Sequence, residues 1–269
     1  MKLLLLFLIL FGSAAMAEYE DKDISARVEA MGGAYIALAD DPAAMHYNPA
    51  GVALNFRREM LTSYSKLYNI SELIDRYIGI TTPVLPFCNM GFANEEFGTG
   101  KYKEHKYTVS VAREVLKGHR IGFSFNQFMT AIENTEHHKD TGIDFGLISD
   151  LTSKAKIAFS GRNANHPNVD EQLRAYYRLG FLFLPNEKIK LLADFEKPQT
   201  VLREDKTAVH VGEEMELGDG VFFRVGYRTQ PQRLSFGMGF EHRDINIDYS
   251  FTSHVDLSLT HRVSLGIKF

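Results

Sequence analysis

The chain has 269 residues, with 24% charged and 45% hydrophobic side chains, a composition that excludes both a disordered and a collagen-like protein. Its net charge of −4 lacks the basic excess a nucleic-acid binder needs, and its single cysteine, Cys88, excludes an intrachain disulfide framework and a Cys-based zinc site. A mean hydropathy of −0.18 is too low for a helical membrane protein.

Residues 1–17 read MKLLLLFLILFGSAAMA. Lys2 supplies a positive start, Leu3 to Phe11 an apolar run, and Ala15-Met16-Ala17 a small-residue cleavage site, so a removable secretory signal is expected. The run is too short for a membrane-spanning helix, which takes about 20 residues. The spacing then assigns residues 18–55 to a separate segment. Within it, residues 24–54 keep no period of two. Gly32-Gly33 permits close backbone approach or positive φ. Asp41-Pro42 reads as a helix start, with Asp41 as cap, and Asn48-Pro49 repeats the arrangement. Gly51 reads as closing a short turn. Short capped helices are therefore predicted ahead of the first strand.

From Arg58 onward the dominant period is two, and residues 56–269 are assigned to one barrel unit. Val221, Phe223, Val225 and Tyr227 share one face, and Phe222, Arg224, Gly226 and Arg228 the other. Ile245, Ile247, Tyr249 and Phe251 likewise oppose Asp244, Asn246, Asp248 and Ser250. About fourteen strands are predicted by this rule, at 58–67, 73–82, 87–94, 105–114, 118–131, 139–149, 154–162, 172–184, 187–197, 206–217, 220–229, 232–241, 244–252 and 260–269. Short connections such as Pro185-Asn186 and Gly218-Asp219-Gly220 favour antiparallel neighbours.

Alternation alone fits a soluble sandwich or a membrane barrel. Three features favour the barrel. Many strands reach the nine or so residues that cross a bilayer at a tilt. The apolar face is aromatic, as at Phe181, Phe195, Phe223, Phe236 and Tyr249. The chain ends in a strand with Val263, Leu265, Ile267 and Phe269 on one face. That ending resembles the signal read by the outer-membrane assembly machinery, with Phe269 as its key residue. In such a barrel the charges Lys190, Asp194, Glu196, His210, Glu214, Arg224, Arg228, Glu241, Asp244 and Asp248 face the lumen. Two roles are open to them: a cross-strand ladder of ion pairs, or a lining that steers a solute.

Three motifs of the early segment carry a family resemblance: Gly32-Gly33-Ala34, Ala37-Leu38-Ala39-Asp40-Asp41 and Asn48-Pro49-Ala50-Gly51. The stretch resembles the amino-terminal region of FadL-type fatty-acid transporters and the related PorV/PorQ outer-membrane proteins. Looser likeness continues in Arg224-Val225-Gly226-Tyr227 and Ile247-Asp248-Tyr249-Ser250-Phe251. The resemblance implies an all-β, fourteen-stranded transmembrane barrel with residues 18–55 folded into the lumen as a hatch. Gly32, Gly33, Asp40, Asp41, Asn48, Pro49 and Gly51 are then hatch, gating or binding residues. Asp194, Glu196, Glu214, Arg224, Arg228 and Asp248 line the lumen. One departure stands out: the chain is short for fourteen strands, so most external loops must be brief.

No catalytic or metal constellation is predicted. Glu133, Glu136, His137 and His138, and likewise Glu104-His105, read as loop residues, and the longest loop is expected near 161–172. No G-x-S-x-G elbow occurs. The sequence thus predicts a non-enzymatic outer-membrane barrel of a Gram-negative-type bacterium, without a cofactor. Its expected partners are outer-membrane lipid, the barrel assembly machinery and a small hydrophobic or amphipathic solute. The alternative is a PorV-like role with secretion-system proteins in secretion or surface attachment.

Overall fold

Period-two alternation becomes fourteen antiparallel strands in the computed structural model, which describes residues 22–85, 88–100, 102–133, 138–165, 175–199, 207–255 and 257–269. The strands are β1 Glu59–Lys66, β2 Ile74–Leu85, β3 Cys88–Phe97, β4 Tyr102–Leu116, β5 His119–Ile132, β6 His138–Thr152, β7 Ala155–Arg162, β8 Ala175–Asn186, β9 Ile189–Gln199, β10 Ala208–Gly218, β11 Val221–Thr229, β12 Gln232–His242, β13 Ile245–Thr252 and β14 Thr260–Lys268. Each expected segment is a strand, with ends within three residues of the expectation. The expected signal at residues 1–17 lies outside the described residues.

Every strand pairs with its chain neighbours, and β1 also pairs with β14, from Glu59↔Lys268 to Lys66↔His261. Closure removes the exposed edges that an open sheet would present. The sandwich alternative is thereby excluded. Six connections, at 86–87, 117–118, 153–154, 187–188, 219–220 and 243–244, have two residues each and lie at one end of the barrel. At the 219–220 turn, Asp219 (φ 48°) and Gly220 (φ 78°) both adopt the left-handed conformation that a tight hairpin demands. The remaining connections lie at the other end, all but the two-residue 230–231 being longer. These ends are the turn end and the loop end below.

The two faces of the wall differ as the alternation requires. Phe223, Ile247, Phe123, Phe125 and Phe183 are exposed on the outside, while Asp194, Glu214, Arg224, Asp248 and Arg262 are buried on the inside. Phe236 and Leu265 share the outer face. An outer surface so continuously apolar suits hydrocarbon and not water. Asp244 departs from the expectation: it sits in the exposed 243–244 turn, where Arg57 Nη2 donates to it at 2.7 Å. Glu104-His105 also departs, because β4 begins three residues earlier than its alternation shows and takes in both. Residues 134–137, and 166–172 of the expected long loop, lie outside the described residues.

A ring of fourteen strands is too wide for its own side chains to fill. Residues 22–55 occupy it. They form α1 (Ala26–Ala30), α2 (Ala44–Tyr47) and a 3-10 turn at Pro49–Leu54. Every residue from Ile24 to Ala53 is buried except Arg27 and Asp40. Val28, Met31, Tyr35, Ile36 and Met45 share a core with Leu61, Ile148, Leu182 and Leu192 of the inner wall. Two local expectations are corrected here. The helix after Asp41-Pro42 starts at Ala44, because Asp41 spends its carboxylate on the Ala43 N–H (2.8 Å) in a preceding turn. Gly51 lies inside the 3-10 turn and closes nothing; a Cβ there would strike the Ala39 carbonyl, so close packing demands the glycine.

Candidate functional site

The inner segment meets the wall where the wall has no side chains. Gly212 and Gly226 face each other across β10 and β11, and Gly122 and Gly146 across β5 and β6. A Cβ on Gly226 would fall on the Met31 carbonyl carbon and the Gly32 nitrogen. A Cβ on Gly122 would fall on the Pro49 carbonyl. Gly32 and Gly33 have φ of 66° and 81°, so the segment turns there in a conformation that β-carbons oppose. The close approach and the positive φ expected of this pair are both present.

Around these windows, wall side chains hold the segment's backbone. Tyr35 N–H and Ile36 N–H donate to one Asp194 carboxylate oxygen at 2.8 and 3.1 Å. His210 Nδ1 donates to the Gly32 carbonyl at 2.8 Å, and Arg178, paired with Glu196, donates to the Gly33 carbonyl. Ala26 N–H donates to Ser264 Oγ at 2.9 Å. Asn48 works from the segment's side. It accepts from Ala50 N–H at 3.1 Å, which caps the 3-10 turn, and donates to the carbonyls of Ile36 and Leu147 at 2.9 and 3.3 Å.

Three ionisable residues of the segment anchor it further. Arg27 is a hub: Nε and Nη2 donate to the two oxygens of Glu214 at 2.8 and 3.0 Å, while Nη1 donates to Asp40 at 2.7 Å and Asp41 at 3.2 Å. Burial opposes its charge, but Asp40, Glu214 and Asp41 more than offset that and hold the guanidinium firmly protonated. The adjacent carboxyls separate. Burial raises both, yet Arg27 and Lys190 bring Asp40 below its ordinary value, whereas Asp41 stays above. Glu214 also takes Lys190 (2.6 Å) and Arg224 (2.7 Å), and Arg224 continues to Asp248 at 2.7 Å. Glu29 receives Arg262 and Ser250, both at 2.9 Å, and Arg262 reaches on to Asp75 at 2.8 Å.

His46 is the third anchor. Arg162 Nη1 lies 2.8 Å from its Nε2, and arginine can only donate, so Nε2 is the acceptor. The ring proton is then on Nδ1, donated to Glu95 at 2.9 Å. Burial holds the imidazole below its ordinary pKa, in agreement with a neutral ring. Beneath the Arg27 hub a polar recess of about 120 Å³, lined by Asp40, Glu59, Lys190, Glu214 and Lys268, faces the turn end.

Of the lumen residues expected from sequence, Asp194 and Glu214 bind the inner segment directly. Glu196 acts through Arg178, and Asp248 through Arg224. Arg228 stands nearer the loop end, where its Nε donates to the Gln230 carbonyl at 2.8 Å. The inner charges thus form a ladder across strands that also holds the enclosed segment. Phe269 is exposed, and its N–H donates to the Arg58 carbonyl at 2.8 Å, beside the closing seam. Sequence reasoning passed over Arg27, Glu29 and His46. Their signal was present: titratable side chains scattered through a largely apolar segment that has to be buried. Among the described residues no group of three or more His, Cys, Asp or Glu is arranged to hold a metal ion.

No known family model and no curated protein matches the sequence. Solved structures do match the fold. The toluene transporter TbuX of Ralstonia pickettii aligns with a TM-score of 0.72 at 12% identity, covering 91% of this chain and 98% of that one. A FadL homologue of Pseudomonas aeruginosa gives 0.71 at 10% identity, over 94% of this chain and 99% of the other. The toluene transporter TodX of Pseudomonas putida gives 0.70 at 12% identity, over 94% and 99%. These relatives support the FadL side of the resemblance and leave its PorV/PorQ side without support. Closed fourteen-stranded wall, short helices within the bore and full-length alignment together show that the chain has the fold of the FadL-type outer-membrane barrels.

Proposed function

We propose that this chain is an outer-membrane channel for small hydrophobic or amphipathic solutes, closed by its inner segment. The observation that carries the reading is the apolar contact layer inside the bore. Leu61, Ile148, Leu182 and Leu192 of the wall pack on Val28, Met31, Ile36 and Met45 of the segment. A water-filled pore has no need of such a lining. Displacing the segment uncovers apolar wall, which receives a hydrophobic solute at little desolvation cost. The fold shared with two toluene transporters supports the same class of cargo. The segment is seated without a covalent tie to the wall, by hydrogen bonds and ion pairs that exchange for water when it shifts. Gly32-Gly33, Asp40-Asp41 and Asn48-Pro49-Gly51 are then the points about which it is held or moves.

The test is uptake by cells and proteoliposomes of labelled toluene-like hydrocarbons and of medium-chain fatty acids, with and without the protein. Faster entry of at least one class, saturating with protein amount, is the expected result. Unchanged entry of both classes alongside loss of surface proteins on deletion would replace the channel reading with the attachment role.

A further inference from the structure

The outward face of the wall carries one carboxyl group where none belongs. On β10 the outward side chains are Val209, Val211, Glu213, Met215 and Leu217, since His210 and Glu214 point inward. Glu213 lies five residues from either end of its strand. It is in register with Leu191 of β9 and Val225 of β11, while Ala193, Tyr227 and Phe223 stand diagonally around it. It has no hydrogen-bond or ion-pair partner within the described residues. The other acidic and basic outward side chains of the described wall, such as Lys66, Arg76, Glu96, Lys103, Arg113 and Lys197, sit within three residues of a strand end, where headgroups and water are in reach.

We propose that Glu213 marks a lateral contact between two copies of this barrel in the membrane. An ionisable group facing hydrocarbon at mid-height is stable only beside a partner that satisfies it. The described outer wall offers no cation at that height to a neighbouring copy. A carboxylic acid, however, carries one donor and one acceptor, so it complements an identical group. A two-fold axis beside β10 brings each Glu213 against the other and repeats every contact, the ordinary geometry of a self-paired interface. Ala193, Val211 and Val225 on one flank are small, and the larger Leu191, Phe223 and Tyr227 beside them supply apolar surface for a second wall to pack on. Polar side chains at such depth act as glue between membrane segments for the same reason.

The inference rests on the wall facing lipid, and the experiment separates the two. In a Cys88→Ala background, Glu213→Cys and, on the far side of the barrel, Phe92→Cys are oxidised in native membranes. A product of twice the chain mass from Glu213→Cys and not from Phe92→Cys is expected. By native mass spectrometry of the otherwise unaltered protein, Glu213→Leu should lower the dimer fraction at least tenfold. Glu213→Gln, which keeps a donor and an acceptor, should retain it. Absence of the homodimeric product at 213, its appearance at both positions, an unchanged dimer in Glu213→Leu, or capture of a different protein would each overturn the pairing. Heat-modifiable migration of every variant shows that the barrel has formed. Its loss from the unaltered chain would instead remove the membrane reading beneath.

Discussion

The wall and the segment it encloses are held by different physics. The wall is held by hydrogen bonds between chain neighbours joined by short connections, plus the single long-range seam between β1 and β14. Its order is local until the last step. The segment has little regular structure of its own, with helices of five and four residues, and its position is set almost wholly by side chains far away in sequence. Arg27 meets Glu214, Glu29 meets Arg262, and His46 meets Arg162. The strand pairing of the wall does not run through the segment, and that asymmetry is what the proposed gated bore requires.

The sharpest way to break the comparison is to remove the hub. Arg27→Ala leaves Asp40 and Asp41 without their shared partner, although Glu214 keeps Lys190 and Arg224. Removing one member of a buried ion pair costs about 3–5 kcal/mol. Taken at the lower end, this shifts the balance between seated and displaced segment roughly a hundredfold. Conductance in planar bilayers should rise while heat-modifiable migration stays normal. A bilayer as silent as with the unaltered protein would show that the hub does not hold the segment.

A smaller disturbance acts through space instead of charge. Gly122→Val places carbon on the Pro49 carbonyl and the Ala50 nitrogen, backbone that has nowhere to retreat against β5 and β6. Overpacking of this kind costs about 1–3 kcal/mol. Protease cleavage within residues 22–55 of the detergent-solubilised barrel should quicken, with the wall intact. Gly100→Val is the control, since nothing lies within 4 Å of a Cβ there; its φ of 63° strains a loop and not the bore. Equal cleavage in the two variants would argue against the glycine window as a seat.

This contrast also explains what could be read from the sequence. The wall was legible almost entirely, because a period of two and a lipid-facing apolar side constrain every strand separately, from Gln232–His242 to the final Val263, Leu265 and Ile267. The ends were less so: β4 continues past Tyr107 through polar Glu104 and His105, which alternation near a rim does not distinguish from loop. In the segment, Gly32-Gly33 declared its positive φ, which few other residues adopt, and Asn48-Pro49 its cap, an asparagine acceptor followed by a proline at the first helical position. Gly51 misled because a glycine needed for close packing looks the same as one needed for a turn. Arg27, Glu29 and His46 were missed because their partners on the wall lie from about 50 to more than 200 residues away, and no local pattern encodes that distance. Glu213 was hidden for the opposite reason, as a single break in an otherwise regular face.

Acid offers a graded way to sharpen the comparison. His46 is faced by Glu95, Lys106 and Arg162 and is held neutral, with its pKa below the ordinary imidazole value by burial. When the segment leaves its seat, the ring regains the ordinary value and takes up protons more readily. Above that value both states are neutral and His46 adds no pH dependence. As pH falls through it, the displaced state gains protons first, so seating weakens progressively until the lower, seated pKa is passed. Conductance should therefore increase as pH falls through the ordinary imidazole value of 6.5. His46→Gln keeps an acceptor for Arg162 and a donor for Glu95 but cannot titrate, and it should flatten that part of the response. An unchanged slope in His46→Gln would assign the acid response to another group.

The smallest expected change in the folded molecule tests the wall alone. Phe269 exposes its ring, and its one hydrogen bond to the wall, to the Arg58 carbonyl, comes from the backbone. Phe269→Ala should alter the stability of the refolded, purified barrel by no more than about 0.5 kcal/mol, as exposed substitutions usually do. If the terminal aromatic is read during assembly, the amount of heat-modifiable protein reaching the membrane should nevertheless fall severalfold, while Arg27→Ala leaves that amount unchanged. The two variants then act on opposite sides of the divide, one on how the wall is built and one on how the bore is closed. A Phe269→Ala protein that assembles in full yield would separate the terminal residue from assembly and leave the seam of β1 and β14 as its only structural association.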